Sequence, residues 1–111
     1  MNASAGINQG VGPVLHATPF ARTVVSVIEA ENEGVLVHDE GAYLRVLASR
    51  VCRLSQTGLV AATGAAIRFP GDLEVVMSSF TGVLELTEDL AVWRFAGEPA
   101  AGSTPSLTGE R

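Results

Sequence analysis

The stretch "VMSSFTGVLELTEDLAVWRF", from Val76 to Phe95, has the pattern of a closing hairpin, interrupted at Ser78-Ser79-Phe80-Thr81-Gly82. Upstream of the interruption, Leu73, Val75 and Met77 place apolar side chains on odd positions; downstream, Phe80, Leu84 and Leu86 place them on even ones. Side chains along a strand alternate strictly, so a slip of one residue would turn the core face toward water unless a bulge absorbed it. The sequence therefore predicts a bulge within Ser78 to Gly82. A turn follows at Thr87-Glu88-Asp89, and "LAVWRF" is the last strand.

Working back from there, Phe69-Pro70-Gly71 reads as a loop. Ser55 or Thr57 caps a short helix carrying Leu59, Val60, Thr63, Ala66 and Ile67, weakened by Gly58 and Gly64 to about two turns. "VLVHDE" and "AYLRVLA" are strands around a Glu40-Gly41 turn, and "RVCRL" is another. A longer helix begins at Thr18-Pro19, with Thr at the N-cap, Pro at the first helical position and Phe20, Val24, Val27 and Ile28 at helical spacing. Glu29, Glu31 and Glu33 oppose the dipole at its far end, and Asn32 or Gly34 ends it. "VGPVLHA" is the first strand, and Pro13 predicts that it starts irregularly or lies at an edge. Residues 1–9 and 97–111 are poor in buriable side chains and read as mobile tails around one domain at 10–96. The order strand, helix, strand, strand occurs twice, which predicts an α+β fold of duplicated βαββ units, helices packed on antiparallel sheet.

Composition narrows the function more than it names it. At 111 residues the chain is long enough for one genuine core. The lone Cys52 excludes an internal disulfide and fits a reducing, cytoplasmic setting. Apolar runs such as Val24 to Ile28 fall far short of the roughly 20 residues that span a bilayer. A net charge of -5, with no lysine and scattered arginines, makes nucleic acid a poor partner.

Catalytic constellations are not evident. His16 and His38 have no partner at zinc-ligand spacing, and His38-Asp39-Glu40 would alternate faces on a strand. A Ser78, His38 and Asp39 triad needs a geometry the sequence does not show. Gly10-Val11-Gly12 lacks the third glycine of a dinucleotide fingerprint and runs into Pro13. Cys52 among apolar neighbours reads as a buried, inert thiol. Taken alone, the residues argue against an enzyme and leave a binding protein.

Four stretches in order, "VGPVL", "EN" at the end of the long helix, "VHDEGAYLRV" and "LEVVMSSFTG", resemble the effector or coupling proteins of soluble diiron multicomponent monooxygenases. The resemblance is to the toluene and alkene monooxygenase branch and covers Val11 to Phe95. Departures occur at Asp39-Glu40-Gly41, where relatives commonly have an acidic pair followed by arginine, and at "TGAAIRFP", where they show a Leu-Gly-Arg-Pro-Phe-like segment. The resemblance implies a duplicated βαββ fold and a cofactor-less protein, monomeric when free, that docks on a diiron hydroxylase and tunes oxygen activation and coupling. The docking face expected from it comprises the long helix with Asn32, and Ser78, Ser79, Phe80, Thr81 and Gly82. Phe80 is either an interface anchor or a core side chain. The alternative function is a small ferredoxin-like ligand-binding regulatory module.

Overall fold

The computed structural model describes residues 10–95; the predicted tails at 1–9 and 97–111 lie outside the described residues. In chain order the elements are β1 (Gly12–His16), α1 (Pro19–Glu31), β2 (Leu36–Asp39), β3 (Tyr43–Leu47), β4 (Val51–Ser55), α2 (Gln56–Thr63), α3 (Gly71–Val76), β5 (Met77–Thr81), β6 (Val83–Leu86) and β7 (Leu90–Arg94). They form an α+β fold with two antiparallel sheets, one ordered β2-β3-β1-β5 and the other β4-β7-β6. Each sheet pairs a strand with the second arm of the hairpin that follows it: β1 with β3, and β4 with β7. Between β4 and its hairpin, however, the chain inserts α3 and β5, and β5 joins the other sheet.

Local chemistry explains most of the boundaries. Thr18 caps α1, its Oγ1 accepting from the Ala21 amide at 3.0 Å, with Pro19 opening the first turn; such a cap contributes about 1 kcal/mol. Ser55 caps α2 in the same way, accepting from Gly58 N at 2.9 Å. The helix stops at Thr63 because Gly64 takes the left-handed conformation, φ 70°, and donates back to Val60 O. Ile67, expected on that helix, lies in the following loop, where its carbonyl accepts from Gln56 Nε2 at 2.6 Å. Asp39 Oδ1 accepts from Gly41 N at 2.9 Å and shapes the β2–β3 turn. Thr87 Oγ1 accepts from Asp89 N and Leu90 N, both at 3.2 Å, and shapes the β6–β7 turn.

Two expectations are corrected. Pro13 does not mark an edge, because β1 lies between β3 and β5. The irregular start is present: Val11 bridges Ala48, and the continuous ladder to β3 begins only at Val14, beyond Gly12-Pro13, where Pro13 has no amide to donate. More consequentially, Gly71–Val76 is helical. Leu73 and Val76, three apart, are buried, while Val75 is 81% exposed. The odd-position pattern was thus half of a helical one. Asp72 and Glu74 in the first turn favour the helix through its dipole.

The core lies between the sheets and helices. β1 contributes Leu15, α1 Val24 and Ile28, β4 Leu54, α2 Leu59 and β7 Trp93, each with no exposed surface. Cys52 is buried among them, and desolvation pushes its thiol up to about 12. The inert thiol expected from its neighbours is what the fold provides.

Candidate functional site

The quoted stretch changes sheet in its middle. β5 is the edge of the four-stranded sheet and β6 an edge of the three-stranded sheet, and Gly82 is the single residue between them. Gly82 has φ 99°, and a Cβ there would come within 2.5 Å of Arg94 O and 2.8 Å of Val11 Cγ1. Glycine is required at this position by the chain's own crossing from sheet to sheet. At Gly82 the neighbour in close backbone approach is Arg94 of β7.

The predicted bulge is present at Ser78. β1 and β5 pair Val14 with Ser79 and then Leu15 with Met77, leaving Ser78 as the extra residue. Its hydroxyl donates to Val14 O at 3.2 Å, so this serine satisfies a carbonyl at the ladder's irregularity. The phase slip in the sequence has two causes: α3 ends at Val76, and one residue bulges two positions later.

Beyond the bulge, β5 faces outward. Ser79 and Phe80 are exposed and Thr81 is half-buried. Phe80 pairs with Pro13, retains 43% of its surface and stays outside the core cluster. Neither the Ser79 nor the Thr81 hydroxyl is engaged among the described residues. An edge strand presents one row of unpaired backbone groups, and this one adds two uncommitted hydroxyls and an exposed aromatic ring.

Asn32 is different. Its Nδ2 donates to Ile28 O and to Arg53 O, both at 2.8 Å, and its Oδ1 accepts from Arg53 N at 2.9 Å. Next to it, Glu31 accepts from Ser55 N at 2.8 Å and from Ser55 Oγ at 2.5 Å. The C-terminal end of α1 is thereby fastened to β4 and to the cap of α2. The bonds to Arg53 and Ser55 link sites more than twenty residues apart, a pairing that sequence spacing cannot announce.

A feature not evident in the sequence lies at α3, the helix that leads into β5. A cavity of about 500 Å³ opens between the start of α1 and α3, lined by His16, Thr18, Phe20, Ile67, Asp72, Val75 and Val76. Two of its polar atoms are engaged within the fold: Thr18 Oγ1 caps α1, and Asp72 Oδ2 accepts from Arg68 N at 2.8 Å. His16 stacks at 5.4 Å against Tyr43 in a tilted arrangement. The signal was available in Leu73 and Val76 at helical spacing behind Asp72, but the neighbouring strand pattern masked it. Among the described residues no group of three or more His, Cys, Asp or Glu side chains is placed to hold a metal ion, and no helix is long and apolar enough to cross a membrane.

The alkene monooxygenase system effector subunit of Xanthobacter autotrophicus (strain ATCC BAA-1158 / Py2) is 32% identical over 87 residues, covering 77% of this chain and 85% of that protein. In a solved phenol hydroxylase–regulatory protein complex, one chain superposes with a TM-score of 0.72 at 14% identity, over 79% of this chain and all of the other. That likeness shows a shared fold. Residues 9–94 match the MmoB/DmpM family across nearly all of the described structure, and the chain belongs to that family.

Proposed function

We propose that this chain is the effector component of a multicomponent monooxygenase. It binds the diiron hydroxylase, takes no cofactor of its own, and leaves the chemistry to residues of that partner. The observation that carries this reading is family membership over residues 9–94, supported by the effector subunit at 32% identity. Its action is a shift of populations: a protein that binds one hydroxylase conformation more tightly than another favours it by the difference in affinity. Coupling of reductant use to hydroxylation follows if the favoured conformation activates oxygen only beside bound substrate. We place this function in the cytoplasm, with a monomer joining each hydroxylase protomer.

The docking face in this reading centres on β5. Ser79 and Thr81 offer hydroxyls, and Phe80 offers an anchor already outside the core. Ser78 and Gly82 set the bend that presents them. Asn32 acts from behind by fixing the end of α1, since its amide is spent on Ile28 and Arg53. The ferredoxin-like alternative is disfavoured by two separate sheets in place of a single βαββαβ sheet.

The test is reconstitution of hydroxylase, electron-transfer components and hydrocarbon, with and without the chain. Product formed per NADH consumed should rise on its addition; indifference would sink the effector reading. Titration with Ser79→Ala and Phe80→Ala then probes the face. Both should weaken docking, Phe80→Ala by about tenfold, equivalent to about 1.4 kcal/mol.

A further inference from the structure

The cavity between α1 and α3 has a feature that the β5 docking face does not account for. Val75, on the exposed side of α3, is a cavity-lining residue and keeps 81% of its surface, more than any other large exposed apolar residue described. Phe20, Ile67 and Val76 supply the remaining apolar wall. Nothing in the free chain is gained by leaving valine there; a polar residue would serve α3 better in water. Apolar surface displayed around a concavity marks a binding surface.

Two classes of occupant compete on chemistry. A specific small metabolite needs uncommitted polar groups aimed into its pocket. Here the Thr18 hydroxyl and one Asp72 oxygen are engaged within the fold, His16 is exposed, and the rest of the lining is apolar. Val75 lines the cavity yet stays 81% exposed, so the apolar wall is open to solvent and within reach of a partner's surface. A protein partner covers both cavity and rim. Charge adds direction: Glu74 has no ion-pair partner among the described residues, Asp72 lies one residue before Leu73, and the chain carries a net charge of -5.

We infer that this groove receives an apolar side chain of the hydroxylase, projecting from a surface with an arginine or lysine beside it that meets Glu74. The inference rests on the effector reading and extends the docking face from β5 onto α3. The two are continuous in the chain, since α3 ends at Val76 and β5 begins at Met77. An apolar knob flanked by a cation gives the contact both its affinity and its orientation.

The experiment uses the full chain and its hydroxylase. Val75→Glu alters a side chain that is mostly in water, so circular dichroism and the thermal midpoint should stay near wild type. Affinity for hydroxylase should fall about tenfold or more, with coupling recovered at saturating effector. Glu74→Arg should weaken binding by about threefold and flatten its salt dependence. Unchanged affinity in folded Val75→Glu would overturn the inference while leaving a working wild-type effector. A wild-type chain that fails to raise coupling would instead overturn the effector reading, and the groove's role with it. The inference also fails if toluene shifts the Val75 and Val76 amide resonances of the free chain, or if Val75→Glu abolishes a self-association seen by sedimentation.

Discussion

Asn32 and Ser79 are small polar residues near the surface, one closing α1 and the other lying on β5, yet their hydrogen-bonding capacity goes to different ends. Asn32 uses both amide atoms inside the protein, on Ile28 and on both backbone groups of Arg53. Ser79 is exposed, and its hydroxyl is unengaged among the described residues. The comparison teaches that a polar side chain near solvent becomes available to a partner only when no backbone group of its own chain needs it. At the end of α1, orphan carbonyls and the neighbouring edge of β4 create that need. On β5 the bulge confines it to Ser78, whose hydroxyl serves Val14 O.

The largest expected effect breaks the platform on which the contrast stands. Gly82→Val forces a side chain against Arg94 O at φ 99° and should cost about 3 kcal/mol of stability, read as a lowered urea midpoint. Next, Asn32→Ala leaves the Arg53 amide and carbonyl without this partner and should cost about 2 kcal/mol. Its hydroxylase affinity per folded molecule should change less than that of Phe80→Ala. A folded, fully stable Asn32→Ala protein with lost affinity would reverse the roles assigned to the two regions. Phe80→Ala should do the opposite, costing less than about 1 kcal/mol in urea while weakening docking about tenfold.

The last prediction concerns the core and is silent at neutral pH. Burial raises the Cys52 thiol from 9.0 to about 12, so the folded state holds its proton more tightly than the unfolded state does. The stability linked to this group is complete below 9.0 and declines as pH rises from there toward about 12. Urea midpoints across that range should show a decline that Cys52→Ala lacks.

Much of the fold was legible because its signals are local. Thr18-Pro19 starts α1, Ser55 starts α2, Gly64 stops it, and Glu40-Gly41 and Thr87-Glu88-Asp89 turn the two hairpins. Each depends on bonds or backbone angles within a few residues. Where the apolar run was short, periodicity failed: Leu73, Val75 and Met77 fit a strand, while Leu73 and Val76 fit a helix equally well, and length could not separate them. Burial of Leu73 and Val76 against the core settled it for the helix. The candidate site was legible in part, since Ser78 to Gly82 announced an irregularity through its phase slip, whereas the groove beside α3 depended on the helix that was missed.

The sequence by itself determined the element types at strong caps and turns, the α+β class, and the presence of a bulge near Ser78. Only the tertiary structure decided that Gly82 passes the chain between sheets, that Asn32 is spent on Arg53, and that Phe80 and Val75 stay outside the core. The physical reason is range. Caps, turns and bulges are set by neighbours a few residues away, but exposure and hydrogen-bond commitment depend on which distant strand or helix arrives to cover a side chain or claim it.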